Sequence, residues 1–344
     1  MDEDGTLLPA AQSATQTYSA TPATEAADGA CGVDAEASWG RQRFGGHDKF
    51  LSAIEAIASR PQTPRDVACI HTIWTEVSLP HQQKKLVRHE RSSGKASIVV
   101  TGGDLNIRSQ DGEAKMIQTV VPCGVAARLL LLEIEAEVLR TQSLVVNLES
   151  SPKAWLKKHK RSYSATVADR YVEACLNLCG MHLTVGFDGA TWKIDPIERV
   201  EEYLVRENGR PWPRRVLVRE AYANLLWDDS YVVHQGAQIA LSTVGSLAMD
   251  IDRWLSRRLH DLQRIERVPW PRIQEQFGAS TTGAQEGSWR RMFVKAFEYA
   301  IAARKGCKAS ADVDWHKGGV FLVPSPDAVK RQERKRGARP SWRT

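Results

Sequence analysis

Apolar and polar positions along this chain fall into two similar series of elements, over about residues 122–198 and 241–323. In the first, Ala126, Leu129, Leu130, Leu132, Ile134 and Val138 recur at helical spacing, with Pro122 at a favourable early position. Leu144–Leu148 reads as a short strand. Ser151 then Pro152 is an N-cap followed by a first-turn proline, which predicts a short helix to about His159. A second helix starts near Ser162 or Ser164, turns Val167, Ala168, Tyr171, Val172, Cys175 and Leu178 inward, and stops at Gly180. His182–Phe187 and Thr191–Ile197 alternate as strands around Asp188-Gly189, a strong hairpin signal.

The second series repeats that order. Val244, Leu247, Ile251, Trp254, Leu255 and Leu259 form one helical stripe. Arg267–Trp270 is a short strand, Pro271 opens a short helix ending at Gly278, and 279–287 is a polar loop. Ser288 caps a helix whose inward face is Trp289, Phe293, Ala296, Phe297, Ala300 and Ile301. Val313–Trp315 and Gly319–Val323 make a hairpin with Lys317-Gly318 at its tip.

Helix, strand, helix, helix and hairpin is the winged-helix plan, a means of setting one helix in the major groove of DNA. The expected fold is therefore α+β, mostly helical, with two tandem winged-helix domains at 121–210 and 211–328. Residues 1–45 form an acidic N-terminus expected to be disordered, and 329–344 a basic tail. Residues 46–120 are an extension with a helix over Phe50–Ile57 ended by Pro61, a second helix over Val67–Val77, and a strand at Ser97–Thr101 before a Gly102-Gly103 turn. Within 211–328, a connector of a strand at Arg214–Arg219 and a short helix at Glu220–Trp227 precedes the second series.

Charge sharpens this picture. The net charge is +6, yet residues 1–40 hold seven of the 41 acidic residues and none of the 47 Lys and Arg. The rest of the chain has the imbalance of a polyanion binder. The tail adds Lys330, Arg331, Arg334, Lys335, Arg336, Arg339 and Arg343 against Glu333, an electrostatic arm or a solubilising end. The six cysteines show no CxxC pair, and Cys175 and Cys179 lie one turn apart on a core face. No apolar run is long enough to span a membrane and no secretory signal opens the chain, so a cytoplasmic setting is expected.

Two groups of residues suit DNA. In the second series Arg290, Arg291 and Lys295 lie outward on the helix that follows Ser288, and Lys317 sits at the hairpin tip. Arginine can pair two donors with guanine. In the first, Lys157, Lys158, Lys160 and Arg161 crowd the turn before the second helix, whose start and outward face carry Ser162, Ser164, Thr166 and Arg170. Mobile cations and a helix N-terminus both suit phosphate. A solvated basic surface is the plain alternative for each group. No phosphate-binding GxxxxGK[ST], no HExxH and no His-x-His occur, and the histidines are scattered. Asp250-x-Asp252 reads as an exposed pair balancing Arg253 and Arg257. No catalytic residue, metal or cofactor is expected.

Several strings also resemble plasmid-encoded RepA-type replication initiators: 126–143 (AARLLLLEIEAEVLRTQS), 241–260 (LSTVGSLAMDIDRWLSRRLH), 267–278 (RVPWPRIQEQFG), 289–301 (WRRMFVKAFEYAI), and upstream SIVVTGG at 97–103 and PCG at 122–124. The resemblance spans roughly residues 65–325. It implies a cytoplasmic bacterial protein without catalytic residues that binds double-stranded origin DNA at repeated sites, helps open the duplex and contacts host replication proteins such as the host initiator and helicase. A homodimer fits the same expectation. A winged-helix repressor, autoregulatory or otherwise, would share these features, and a nucleic-acid-processing enzyme is the reading from another class.

Overall fold

The computed structural model describes residues 46–329 apart from 83–84, 109–113, 206–210, 261, 279–283, 307–312, 317, 326 and 328, and in addition residues 340 and 342. It is a mixed α+β fold. The chain begins with α1 (Asp48–Ala58), strand β1 (Val67–His71) and a single-turn α2 (Ile73–Glu76). Two hairpins follow, β2 (Arg88–Ser93) with β3 (Ala96–Thr101) and β4 (Asp104–Arg108) with β5 (Ala114–Gln118). The first series comprises α3 (Gly124–Thr141), β6 (Val145–Asn147), α4 (Pro152–Lys158), α5 (Ala165–Cys179), β7 (His182–Phe187), β8 (Ala190–Lys193), β9 (Ile197–Val205) and β10 (Pro211–Val218). Next come α6 (Glu220–Asp228), β11 (Ser230–His234) and α7 (Gln235–Leu241). The second series is α8 (Ser246–Arg258), β12 (Glu266–Pro269), α9 (Trp270–Phe277), α10 (Ala284–Gly306), β13 (Val313–His316) and β14 (Gly319–Leu322).

Local signals set many of these boundaries. The Ser151 hydroxyl accepts from the Ala154 N–H and the Ser164 hydroxyl from the Val167 N–H, so each caps the helix that follows. Asp188 and Gly189 both have positive φ, 49° and 88°, which lets two residues close the β7–β8 hairpin with the twist the strands need.

The partnership of that hairpin differs from expectation. β7 pairs with β3, giving a four-stranded sheet in the order β2-β3-β7-β8 that draws residues 88–101 onto the first series. The strand beside β6 is β10, expected as part of a connector, and the sheet runs β6-β10-β9. The second series has the same order, β12-β14-β13. The topological repeat is therefore closed by β9–β10 in the first series and by β13–β14 in the second. Hairpin formation is local, but the choice of neighbour depends on which apolar face meets the core.

Two further corrections arise likewise from tertiary contacts. Val67–Val77 is not one helix: Val67–His71 pairs antiparallel with Ser230–His234, and only Ile73–Glu76 is helical. Ser288 is not a cap, because α10 already begins at Ala284.

One core cluster gathers α1, β1, α3, α5 and α7, and a second gathers α8, α9, β12, β14 and much of α10. Helix α10 belongs to both: Phe293 and Phe297 lie in the second, Tyr299, Ala302 and Ala303 in the first. Between the clusters lies a buried polar seam. Asp250 and Asp252, expected at the surface, are only 3% and 2% exposed. The Asp250 carboxylate accepts from the Arg128 Nε at 2.8 Å and Nη2 at 2.5 Å. Asp252 accepts from Gln238, whose own carbonyl oxygen accepts from Arg253 at 2.8 Å. These charges do not reach solvent because α8 is packed on several sides, by α2, α3, α7 and α10.

Candidate nucleic-acid interface

At the α4–α5 turn the cations divide into two kinds. Lys157 and Lys160 are exposed, and Lys160 holds φ of 52° as the chain reverses between the helices. Lys158 instead turns back, its ammonium 2.6 Å from Glu133 and 3.1 Å from Glu149. Burial opposes its charge, but the two carboxylates outweigh it and raise its pKa. Glu133 is also buried, which favours its neutral form, yet His159 and Lys158 win and keep its carboxyl below the ordinary value. The Trp155 indole N–H donates to the same carboxylate. Arg161 is half-buried and donates to the Ser242 carbonyl at 2.8 Å and hydroxyl at 3.1 Å. Lys158 and Arg161 thus brace the turn.

Exposed polar groups surround that brace. Ser162, Ser164, Thr166 and Arg170 are all exposed, and the Ser164 hydroxyl is engaged as the α5 cap. Two further lysines join them. Lys49, on α1, donates to the Ser162 hydroxyl at 2.8 Å, and Lys153 places its ammonium 5.7 Å from the centre of the half-exposed Tyr163 ring. Neither was named from the sequence: Lys153 lies two residues past the Ser151 cap on the exposed side of α4, a position the Ser151-Pro152 signal could have pointed to, and Lys49 arrives only through tertiary packing from 113 residues away.

The second group lies on the N-terminal half of α10. Its inner face is a run of aromatic rings. Trp289 and Phe293 have centroids 5.5 Å apart, Phe277 and Phe293 5.6 Å, and Trp254 and Phe277 5.7 Å, which ties α10 to α9 and α8. The opposite face presents Ser288, Arg291, Met292 and Lys295 to solvent. Arg290 stands at the border, half-buried, with its guanidinium 5.0 Å from the centre of the Trp270 ring on α9. That cation–π contact fixes its direction at the edge of the buried face. Lys317, the basic stretch 330–339 and Arg343 lie outside the described residues. Arg267 on β12 donates to the Gly318 carbonyl at 3.1 Å, next to that turn.

The two groups occupy different helices of one compact unit. They are bridged by α1 and α7: Lys49 lies on α1, Arg161 bonds Ser242 at the C-terminal end of α7, and α10 packs on both helices. Among the described residues no three or more His, Cys, Asp or Glu are placed to hold a metal ion, and no helix is long and apolar enough to cross a membrane. Cys175 and Cys179 are buried on α5, as expected of small core residues; contact with Cys179 and burial push the Cys175 thiol well up.

No protein-family model matches the chain, and no curated protein matches it. Among solved structures, the chain is similar to a selenomethionine crystal structure of domains 2 and 3 of RctB, with 12% identity and a TM-score of 0.43, over 75% of this chain and 99% of that one. A second crystal structure of RctB domains 2-3, residues 155–483, gives 9% identity and a TM-score of 0.38 over 72% and 93%.

Proposed function

We propose that the chain is a sequence-specific DNA-binding replication initiator built on two tandem winged-helix units. The observation that carries this reading is the doubled topology with a polar, cationic helix surface in each copy. The sheets β6-β10-β9 and β12-β14-β13 share one order, and in each the closing hairpin comes after a run of helix, strand, helix and helix, with the β7–β8 hairpin interposed in the first copy. In the second copy the helix before the last hairpin exposes Arg291 and Lys295 beside the stacked Arg290. In the first, Lys49, Lys153, Lys157, Lys160 and Arg170 gather near the start of α5. Aromatic anchors on one face and base- or phosphate-seeking groups on the other are what a groove-reading helix needs. The sequence resemblance to RepA-type initiators adds origin DNA as the target, host replication proteins as partners, a homodimer as an available state, and the cytoplasm as the setting.

The mechanism in this reading is binding and deformation of the duplex, without covalent chemistry. Two reading helices in one compact unit engage successive stretches of groove, so the protected site exceeds one helical turn. The test places the gene with its flanking DNA on a plasmid lacking another usable origin. Maintenance is expected to require the gene and to be lost in the Arg290→Ala/Arg291→Ala variant. A plasmid that persists with the gene disrupted would overturn initiation; regulated transcription from the same flanking DNA would then identify a repressor.

A further inference from the structure

The exposed stripe of α10 contains one apolar side chain among polar ones. Ser288, Arg291, Met292 and Lys295 stand at i, i+3, i+4 and i+7, so they line one side of the helix, opposite buried Trp289 and Phe293. Met292 is 50% exposed. A single exposed apolar residue is ordinary on a protein surface. The neighbours give this one its meaning. Arg291 adjoins it in sequence and Lys295 follows almost one turn on, so a polyanion drawn to those cations covers Met292 as well. Arg290 on the other side is held against Trp270. The thioether chain is flexible and polarizable, suited to an apolar contact of imperfect fit. Along the major groove of a duplex, the apolar group offered by a base edge is the 5-methyl of thymine.

We propose that Met292 contacts a thymine methyl and sets a thymine preference at one position of the bound site. The proposal rests on α10 being a groove-reading helix. It separates the two kinds of readout on one face: Arg291 and Lys295 supply hydrogen bonds and charge, and Met292 supplies the apolar contact. A thymine and a uracil differ by that methyl alone, so hydrogen-bonding readers are blind to the exchange while an apolar reader is not.

The full chain would select duplexes from a randomised pool, and the selected duplex would be remade with deoxyuridine in place of each thymine in turn. The parent protein is expected to lose about fourfold in affinity at one thymine, the effect of one methyl left unburied. Met292→Ala is expected to bind the thymine duplex more weakly, to show no further loss on that exchange, and to melt at the parent's temperature because the side chain is outside the core. Indifference of the parent to every exchange, or undiminished sensitivity in Met292→Ala, overturns the thymine contact while specific duplex binding stands. If no duplex is enriched, the groove-reading assignment of α10 falls and the Met292 proposal with it.

Discussion

Arg128 on α3 and Asp250 on α8 face each other with every guanidinium donor engaged. Arg128 Nε and Nη2 grip both carboxylate oxygens, while the remaining N–H groups reach the carbonyls of Leu79, Pro80 and Gly124. Both side chains are almost fully buried, at 1% and 3% exposure. Burial alone would push the Asp250 carboxyl up, but Arg128, His81 and Arg253 overcome it and hold the pKa below the ordinary value.

Removing one partner therefore strands the other in a dry site. Arg128→Met or Asp250→Leu is expected to cost about 3–5 kcal/mol, and the double variant less than the sum, because two apolar side chains leave no orphan charge. Urea denaturation of the three variants measures this. A loss in the double variant equal to the sum of the two single losses would show that the pair is not the unit that matters.

Glu135 offers a test against pH. It is fully buried on α3 and accepts from the Trp74 indole, the His71 N–H and the Tyr222 hydroxyl. Burial outweighs those donors and raises its pKa from 4.5 to about 7. The folded state thus favours the neutral acid. Its contribution is fully present below pH 4.5 and is lost as pH rises through about 7, amounting to about 3 kcal/mol. Neighbouring His71 has the opposite sign: burial lowers it from 6.5 to about 4, so its contribution is present above 6.5 and is lost as pH falls toward 4. The two offset each other in the parent. Glu135→Gln removes one side of that balance, so its stability relative to the parent is expected to rise by about 3 kcal/mol between pH 5 and pH 8. A constant difference across that range refutes the assignment.

The basic residues of the α4–α5 turn separate by role. Lys157→Gln and Lys160→Gln are expected to leave stability unchanged and to reduce the salt dependence of DNA binding, by roughly 0.9 in slope for each phosphate no longer neutralised. Lys158→Gln acts on the fold instead, costing about 1 kcal/mol because the Glu133 ion pair is half screened by solvent. Binding titrations at several salt concentrations, beside melting curves, distinguish the two. A slope change in Lys158→Gln equal to that of Lys157→Gln would reverse the division.

On α10, Arg290→Ala and Arg291→Ala are each expected to weaken specific binding by about 1–3 kcal/mol if their guanidinium groups pair with bases. Trp289→Ala acts on stability, at about 3–5 kcal/mol, through the cavity left beside Phe293. Competition binding with specific and unrelated duplexes, paired with denaturation, reads both effects.

What was legible in sequence was local. Ser151-Pro152, Ser164 and Asp188-Gly189 act within four residues and sit where their chemistry demands. The Trp289, Phe293, Phe297 spacing marks its own inward face. What was missed depends on partners far along the chain. Ile70, Ile73 and Trp74 have helical spacing, yet β1 is a strand because β11 pairs with it. Asp250 and Asp252 look like surface charges until Arg128 and Gln238 arrive. In the candidate interface, Arg291 and Lys295 are outward as read, Lys158 is half-exposed but held by Glu133 and Glu149, Arg161 turns to Ser242, and Lys49 enters from α1.

The pairing of β1 with β11 also bears on the order in which the protein is made. Val67 meets His234 and His71 meets Ser230, so β1 is synthesised long before its partner exists. With about 160 residues still to be added at roughly 5–20 residues per second, the wait is on the order of 8–30 s. Throughout that interval Val67–His71 carries unpaired backbone groups and apolar side chains that the finished fold buries at Ala68 and Ile70. The nascent chain therefore cannot close its N-terminal core as it emerges. Its vulnerable period belongs to translation, before Ser230–His234 exists to pair with that strand.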